Sequence, residues 1–444
     1  MTSDKTPDVW DVAVVGAGAA GLMAALVAAR GGSRVLLLDS KEKIGAKILM
    51  SGGTRCNITN AAVTEKDFES DQKRTLAAVL KAFSPERALK FFKELGVEAV
   101  LEPGGKYFPS THSGRTVLEA LLRGTREAGV RLIPSRKVTR LIYEKEPVTV
   151  QTRHPEPACR TGRRSEGSQC EILQGFFRVE GDSFSYPAKK VILTTGGLSY
   201  PQTGSDGTGY SLAQSFGHSL VPVSPALTPL LTGDEDFKKL SGVSLPARLN
   251  LYFEGAKKSE QEGAFLFTHT GFSGPAALDI SRHWVRLQGK GRAEIFANFL
   301  PAFQEEAFRE KILTETREQP SRLIKTFLGD FLPRAFSEIF LKKMSIPESS
   351  VLNQWSRVAR EKCVRNLFHY LLPVTGVTGY SKAEVTAGGV DLREIRKESM
   401  ESRLQPGLFF AGEILDADGR IGGFNFQWAW ASGFLAGYAA CRQS

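Results

Sequence analysis

The feature that most constrains this 444-residue chain is a glycine-rich turn between an apolar strand and a small-residue helix. Val12–Val15 predicts a buried strand, and Ala17–Ala29 predicts a helix packed under a sheet. The turn carries the G-x-G-x-x-G spacing, with Gly16, Gly18, Ala19, Ala20 and Gly21. In this spacing the first glycine permits the tight turn, the second lets the backbone approach a pyrophosphate, and the third lets helix and strand pack closely. The motif therefore predicts a dinucleotide-binding unit.

Two further segments indicate which dinucleotide is bound. A second strand, Arg34–Asp39, ends in a carboxylate that can accept hydrogen bonds from both ribose hydroxyls. The helix N-terminus offers free amides to the phosphates. Far along the chain, Gly407–Asn425 forms a second glycine-dense segment with several acidic residues. Contacts from both ends of a discontinuous domain suit the length of FAD, so the two segments together predict FAD as the cofactor.

Composition indicates a soluble enzyme of more than one domain. A chain of 444 residues exceeds the ~50–250 residues of a typical domain, and no apolar run approaches the ~20 residues that span a bilayer. The start, Met1–Pro7, is short and polar, and the five cysteines contain no C-x-x-C pair. We therefore expect a cytoplasmic protein with no membrane partner and no redox-active disulfide, and the oligomeric state stays open.

The net charge of +10 raises the question of a nucleic-acid partner. Lys and Arg are spread along the chain, without an RNP-like or zinc-knuckle pattern. The densest basic stretch, Arg153–Arg164, contains Pro, Gly and Ser and predicts a solvated loop. The pattern does not favour nucleic acid, and a flavin-bound RNA-modifying protein is an alternative that the charge alone supports.

The order of the predicted elements indicates an interrupted domain. Helical patterns cover Thr75–Phe83, Glu86–Leu95 and Arg115–Ala128. Strand patterns follow at Arg131–Ile133, Lys137–Tyr143, Val148–Thr152, Gly175–Val179, Ser183–Tyr186 and Lys190–Thr194. Short strands and turns from Val221 to about Leu300 predict a small barrel-like insert, and Phe303–Asn366 has helical spacing. The chain returns through a last strand, Leu408–Gly412, and a closing helix, Phe426–Ala440.

The segment Lys47–Asn60, with the sequence KILMSGGTRCNITN, resembles the SGxGRCNxTN signature of the bacterial YhiN/BaiN-type flavoproteins, a group that includes aminoacetone-oxidase-like FAD enzymes. Phe267–Pro275, Thr386–Val390 and Gly407–Gly437 fit the same family, so the resemblance covers nearly the whole chain. Thr54 departs from the signature, where glycine or asparagine is expected.

The resemblance implies an α/β fold. A discontinuous FAD-binding Rossmann domain of glutathione-reductase type is interrupted by an inserted β-barrel-like plus helical domain. We expect the first part of the FAD domain at residues 1–204 and its second part at residues 367–444. The barrel-like insert is expected at residues 205–300, with a helical subdomain at residues 301–366. The substrate pocket would lie between the two domains, over the flavin.

The cofactor contacts follow from the two glycine segments and the resemblance. The glycine turn would surround the pyrophosphate, and Asp39 the adenosine ribose. A wrapping loop would touch pyrophosphate and ribityl through Lys47, Ser51, Gly52, Gly53 and Arg55. Val138 would give a backbone contact to adenine, and Glu413 would contact the ribityl chain. Asn425 and Phe426 would aim backbone amides at the flavin N1/C2=O edge, where a helix N-terminus stabilises negative charge.

Structural alternatives exist for Arg55 and Glu413, and two residues near them have only a structural interpretation. Arg55 could form an ion pair instead of a cofactor contact. Glu413 and Asp416 could cap the last helix. Cys56 has no resolving partner in the sequence, and we interpret it as a buried small residue instead of a nucleophile.

His269 is the candidate catalytic residue, because it lies in a turn punctuated by glycine and proline, where side chains can face a pocket. A histidine there can donate a proton to an enolate or deprotonate an amine. The alternative is a histidine that only fixes the turn. Tyr107, Tyr200 and Tyr380 are further candidate proton donors.

The predicted function is FAD-dependent oxidoreduction of a small molecule. The first hypothesis is reduction of an activated C=C bond in a conjugated ketone, with electrons from NAD(P)H. The second is oxidation of a small amine or aminoketone, which produces hydrogen peroxide. No second G-x-G-x-x-G follows a strand, so a nicotinamide would bind transiently in the same cleft. The sequence does not distinguish the two reactions.

Overall fold

The structure is a computed structural model that describes residues 9–151 and 169–442. Its α-helices are Ala19–Arg30, Ala46–Met50, Lys73–Ala82, Pro85–Glu94, Gly114–Glu127, Thr208–Gln214, Glu235–Lys238, Pro275–Leu287, Glu305–Glu318, Ile324–Leu328, Arg334–Lys343, Arg357–Phe368 and Phe424–Ala440. Within these ranges, no helix is long and apolar enough to cross a membrane. The predicted basic loop, Arg153–Arg164, lies outside the described residues.

The first sheet contains the predicted nucleotide-binding strands. In spatial order it runs Arg131–Ile133, Val35–Leu38, Trp10–Val15, Phe184–Leu193, Gln169–Gly181 and Arg140–Gln151. The first four strands are parallel and the last two antiparallel. The returning strand Leu408–Phe410 pairs in parallel with Phe184–Leu193, so the C-terminal part of the chain completes the N-terminal sheet.

Four predicted strands in this sheet were wrong in their boundaries, because they form two continuous strands. Ser183–Tyr186 and Lys190–Thr194 form one strand, Phe184–Leu193, which pairs with Gln169–Gly181 through its first half and with Trp10–Val15 through its second half. Lys137–Tyr143 and Val148–Thr152 were also predicted as separate strands, whereas Arg140–Gln151 is continuous. Backbone pairing with neighbouring strands outweighs the local polar residues that suggested breaks.

The first and last helices lie against each other. A Cβ atom on Gly433 would come within 2.6 Å of the carbonyl oxygen of Ala20, and one on Gly437 within 2.4 Å of that of Ala24. These distances leave no room for any side chain. The small residues of Phe424–Ala440 therefore let it pack directly on Ala19–Arg30, within a core built from residues 12–213 and 390–440.

A second core is built from residues 230–372. Its antiparallel sheet has the order Tyr370–Leu371, Ala293–Asn298, Ser244–Phe253, Ala256–Thr268, Gly271–Ser273, Leu230–Thr232 and Val374–Val377. The two edge strands, Tyr370–Leu371 and Val374–Val377, are separated by only two residues in the chain. The sheet must therefore curl until its two edges lie close to each other. This is the barrel-like form that was predicted, and the four helices from Glu305–Glu318 to Arg357–Phe368 contribute to the same core. The exact domain boundaries stay predictions.

Remaining short strands support the region between the cores. They are Thr59–Asn60, Phe68–Glu69, Ala99–Glu102, Lys106–Pro109, Leu220–Ala226, Val385–Val390 and Asp418–Gly419. Val385–Val390 is buried along its whole length and pairs with Leu220–Ala226. Asp418–Gly419 pairs with Phe68–Glu69.

Candidate functional site

A cavity of about 490 Å³ begins at the glycine turn and extends toward the second core. Its walls come from segments within residues 15–20, 38–57, 106–108, 136–138, 194–208, 384–385 and 412–429, together with Leu227. Most of the predicted cofactor-binding residues therefore lie around one space.

The three glycines of the turn have different surroundings. Gly16 has φ +103°, and a Cβ atom there would lie 2.6 Å from the carbonyl oxygen of Thr194. A Cβ on Gly21 would lie 1.8 Å from the carbonyl oxygen of Gly16, and Gly21 is absent from the cavity wall. A Cβ on Gly18 would meet no protein atom within 4 Å. Gly16 and Gly21 are therefore required because a larger residue would clash with the neighbouring backbone. Gly18, with Ala19 and Ala20, faces the cavity, where a phosphate can approach.

Asp39 stands at the end of the second strand and faces the cavity. Its Oδ2 accepts a hydrogen bond from the amide of Ala17 at 2.6 Å, and its Oδ1 accepts one from the amide of Lys41 at 2.8 Å. Burial raises the pKa of this carboxyl group, against the lowering effect of the two amides. Each oxygen keeps a second lone pair, so Asp39 can hold the glycine turn and still accept from ribose hydroxyls.

Lys47 and Glu413 join the wrapping loop to the C-terminal segment. The Nζ of Lys47 lies 2.6 Å from Oε2 of Glu413 and 2.7 Å from Oγ of Ser199. Oε1 of Glu413 accepts from the amide of Thr386 at 2.9 Å and from the hydroxyl of Ser199. Both charged side chains lie in the cavity wall, as do the predicted Ser51, Gly52, Gly53 and Val138.

Arg55 lies in the cavity wall, but its guanidinium already has partners. Nη1 lies 2.9 and 3.1 Å from the two carboxylate oxygens of Glu102, and the guanidinium carbon lies 4.0 Å from the centre of the Phe108 ring. This geometry fits the alternative of a structural ion pair, and the pyrophosphate contact stays a prediction.

The last helix presents its N-terminus to the cavity. The first helical hydrogen bond runs from the amide of Gln427 to the carbonyl of Gly423, so the amides of residues 424–426 have no partner within the helix. The Asn425 side chain bonds both the amide and the carbonyl of Gly419, at 2.8 and 3.0 Å, so only its backbone is free. Glu413 and Asp416 do not cap this helix, because Asp416 accepts from Ser70 and the helix begins without a side-chain cap.

Two buried polar atoms around the cavity lack hydrogen-bond partners among the described residues: Oδ1 of Asn57 and Nε of Arg136. Both residues lie in the cavity wall, Arg136 beside Val138 and Asn57 in the wrapping loop. A buried polar atom without a partner is costly, and a bound ligand would remove that cost. The cavity wall thus offers FAD a free acceptor on Asn57 and a free donor on Arg136. It also offers the open face of Gly18 and the free helix amides, so the residues present fit this cofactor.

The candidate proton donors are not gathered in one place. His269 is exposed in the turn between Ala256–Thr268 and Gly271–Ser273, away from the cavity wall, and its catalytic role stays a prediction. Tyr107 also lies outside the wall, whereas Tyr200 lies in it, and the amide of Tyr200 donates to the carbonyl of Tyr380 at 2.9 Å.

Cys56 is fully buried, and burial raises its pKa to about 12, which suits a small core residue.

Sequence reasoning missed two residues of the wall and one residue, Thr386, that lies outside the wall and positions a segment of it. Thr386 accepts hydrogen bonds from the amides of Leu198 and Ser199, which fixes the segment after the central strand. Glu384 and Lys106 face the cavity. Thr386 stands inside a matched family segment, which was the available signal; nothing local marks Glu384 or Lys106.

The fold and site define a flavin-dependent oxidoreductase. The model of the HI0933-like protein Rossmann domain matches residues 10–439, and the chain belongs to this family. It is therefore an enzyme of the FAD-dependent oxidoreductase class, as the motif and the resemblance predicted.

Two relatives match almost end to end. A 3-dehydro-bile acid delta(4,6)-reductase from Clostridium scindens is 32% identical, over 97% of this chain and 99% of its own length. A ribosomal RNA dihydrouridine synthase from Haemophilus influenzae is 32% identical, over 97% of this chain and 98% of its own length. Among solved structures, a 3-ketosteroid delta1-dehydrogenase from Sterolibacterium denitrificans has a TM-score of 0.49 at 13% identity and covers 98% of this chain and 99% of its own.

Proposed function

We propose that the chain reduces a C=C bond conjugated to a carbonyl group, with electrons from NAD(P)H. The observation that carries this proposal is one continuous cavity, which runs from the glycine turn past the free amides of residues 424–426. It ends beside the apolar side chains of Leu227, Val385 and Ile421, near the second core. An apolar end beyond the flavin suits a carbon–carbon double bond, and the name of the Clostridium scindens relative denotes such a reduction.

Different residues of the chain would bind different parts of the cofactor. Gly18 and the first turn of Ala19–Arg30 would hold the pyrophosphate, and Asp39 the adenosine ribose. Glu413 and Lys47 would lie along the ribityl chain. The amides at the start of Phe424–Ala440 would favour negative charge at the flavin N1/C2=O edge. Bound flavin supplies hydride to the substrate, and NAD(P)H supplies it to the flavin.

A second candidate substrate is uracil in ribosomal RNA. The Haemophilus influenzae relative carries the name of a ribosomal RNA dihydrouridine synthase at the same identity as the bile-acid relative. The C5=C6 bond of uracil is also conjugated to a carbonyl, so the proposed chemistry would be the same. The specific observation in favour of this candidate is the net charge of +10, since phosphate binding depends on positive charge. Amine oxidation has no corresponding support here and stays the weaker alternative.

The experiment separates the half-reactions. The purified holoenzyme is mixed anaerobically with NADH and then with NADPH, and the flavin absorbance near ~450 nm is followed. We expect rapid bleaching by one of the two. The reduced enzyme is then offered a 3-oxo-Δ4 bile acid or unmodified ribosomal RNA, and the acceptor that restores the colour and gains two hydrogens identifies the substrate class. Failure of both nicotinamides to bleach the flavin, with peroxide formed from an aminoketone in air, would contradict the proposal.

A further inference from the structure

We propose that Glu384, at the apolar end of the cavity, is the proton donor of the reduction. The inference rests on the proposed function, and it concerns residues that neither the glycine motif nor the family signature contains. Glu384 directly precedes the strand Val385–Val390, and its amide donates to the carbonyl of Leu227 at 3.2 Å. This backbone bond holds it at the apolar end of the cavity.

Apolar side chains lie next to Glu384 in the cavity wall. Leu227 and Val385 belong to a small buried cluster against which Ile421 packs, and all three line the cavity together with Glu384. The Glu384 side chain is exposed and lines the cavity. Its carboxyl group makes no hydrogen bond or ion pair with any described residue. A carboxyl group in such a place is available to a ligand and favours its neutral form.

A second carboxyl group approaches from the other core. Asp279 lies on the helix Pro275–Leu287, is 7% exposed, and its Oδ1 accepts from the amide of Ile421 at 2.8 Å. Ile421 therefore links the cavity wall to Asp279. Burial raises the pKa of Asp279 to about 6, against the lowering effects of the Ile421 amide and of Arg282, Arg420 and Lys106.

The charges facing Glu384 oppose one another. The pKa of Glu384 is raised to about 7, chiefly by desolvation; the negative charge of Asp279 acts in the same direction, and the positive charge of Lys106 opposes both. Tyr200 also faces this group, and burial together with the charge of Glu384 raises the pKa of the phenol. Tyr200 thus stays neutral near pH 7, whereas Glu384 exchanges its proton in the range where a general acid is most effective.

The chemistry needs one proton beyond the hydride. Reduction adds two hydrogens across the double bond: the carbon β to the carbonyl receives hydride from bound flavin, and the π electrons move toward the carbonyl oxygen. The carbon α to the carbonyl then takes a proton from the Glu384 carboxyl oxygen. The carboxylate regains a proton from water, and NAD(P)H is oxidised to NAD(P)⁺, so atoms and electrons balance.

The test compares Glu384→Gln with the wild-type holoenzyme in single turnovers, with Glu98→Gln as the control. Glu98 is a surface residue whose side chain is 67% exposed. We expect flavin content, reduction by NAD(P)H and the Kd for a 3-oxo-Δ4 bile acid to be unchanged in Glu384→Gln. Reoxidation by that bile acid should slow by at least ~100-fold, the usual contribution of a general acid, whereas Glu98→Gln should match the wild type.

The neighbours provide a second test with opposite signs. The wild-type reoxidation rate should fall as the pH rises through the pKa of Glu384, because only the protonated form donates. Asp279→Asn keeps an acceptor for the Ile421 amide but removes a like charge, so this fall should move to lower pH. Lys106→Met removes the opposite charge, so the fall should move to higher pH. Infrared difference spectra of wild type against Glu384→Gln would report the same carboxyl titration without turnover.

The outcomes distinguish the two proposals. Wild-type flavin that is reduced by NAD(P)H but never reoxidised by a conjugated acceptor would overturn the proposed function and the donor role with it. Normal wild-type turnover with equal reoxidation rates in Glu384→Gln would overturn the donor role alone. Shifts of the pH profile in the same direction in Asp279→Asn and Lys106→Met would also overturn it.

Discussion

Nζ of Lys47 lies 2.6 Å from Oε2 of Glu413, although 366 residues separate the two in the chain. Lys47 stands in the short helix Ala46–Met50, and Glu413 follows the last strand of the first sheet. Their side chains are 26% and 17% exposed, so water screens the pair only in part. Ser199 hydrogen-bonds to both residues, which connects a third segment. The ion pair therefore fastens the discontinuous flavin domain at the point where its two halves meet.

This relationship predicts a measurable coupling. Lys47→Met and Glu413→Gln, singly and combined, should give a coupling free energy of unfolding of about 1–3 kcal/mol in the apoprotein, because each change leaves the other polar group without its partner. Urea unfolding of the four apoproteins measures it. The matched cycle uses Lys93→Met and Glu98→Gln, a pair 3.8 Å apart with side chains 71% and 67% exposed. We expect about 0–1 kcal/mol for that surface pair, and equal couplings in both cycles would contradict the stabilising role of the partly buried Lys47–Glu413 pair.

The open face of Gly18 predicts loss of the cofactor without loss of the fold. A Cβ atom on Gly18 meets no protein atom within 4 Å, so the valine of Gly18→Val would extend into the space that the phosphates need. We expect a folded, colourless protein with a flavin content at least ~10-fold lower, which corresponds to about 1.4 kcal/mol of binding free energy. Absorbance spectra and circular dichroism of the purified variant test both parts.

Gly233 offers a control of the same kind. It is exposed outside the cavity wall, and a Cβ atom there also meets no protein atom within 4 Å. Gly233→Val should therefore purify yellow, with the wild-type flavin content. A yellow Gly18→Val protein would show that the phosphates bind elsewhere.

Local steric rules made the glycine turn predictable. The separate demands on Gly16, Gly18 and Gly21 follow from backbone geometry within one βαβ unit. The structure shows the tight turn at Gly16, the close packing at Gly21 and open space at Gly18, where the phosphate contact stays a prediction. The closing helix was also predictable, because alanine, glycine and aromatic residues without charges indicate a helix buried on all sides. Such signals depend only on neighbouring residues.

The placement of Glu384 in the cavity wall, with Asp279 behind it, could not be predicted, because it depends on contacts between distant segments. Glu384 and Asp279 are 105 positions apart in the numbering, and neither stands in a motif that indicates a site. For His269, the sequence predicted the turn but could not predict its position relative to the cavity. That position depends on how the second sheet curls. Periodicity carries no information on that curvature.

His283 predicts a pH dependence of stability. It lies on the helix Pro275–Leu287, and its Nδ1 is 3.8 Å from Oε1 of Glu69. Burial lowers its pKa from 6.5 to about 3; the charges of Arg282, Arg286 and Lys73 act in the same direction, and that of Asp418 opposes them. Below pH 6.5, His283 therefore binds a proton in the unfolded chain but stays neutral in the native state. The free energy of unfolding decreases as the pH falls through this range.

The measurement compares wild type with His283→Gln in urea at pH 7.5 and pH 5.5. One unit below the unfolded pKa, the wild type should have lost about 1.4 kcal/mol more of its free energy of unfolding than the variant. His369→Gln, which replaces an exposed histidine, is the control, and we expect the larger difference in pH dependence for His283→Gln. Parallel pH dependences in wild type and His283→Gln would contradict the prediction.

The fully buried Asp418 predicts the largest loss of stability. It is ion-paired with Arg286, and Nη1 of Arg282, a residue 3% exposed, lies 3.8 Å from its Oδ2 and donates to its backbone carbonyl at 3.0 Å. These arginines stand on the helix Pro275–Leu287, whereas Asp418 belongs to the C-terminal segment beside the cavity. Asp418→Asn would remove the fully buried carboxylate that pairs with Arg286 and lies beside Arg282, and breaking a buried ion pair typically costs about 3–5 kcal/mol.

Urea unfolding at pH 7.5 measures this cost, with Asp236→Asn as the control. Asp236 also pairs with two cations, Lys239 at 3.0 Å and Lys342 at 2.9 Å, but it does so at the surface. We therefore expect a clearly smaller loss of stability for the control. Since the Asp418 cluster links the second core to the segment that presents the helix amides, Asp418→Asn should also weaken flavin binding, whereas Asp236→Asn should not. Equal losses in the two variants would mean that the buried charges are solvated in the native state.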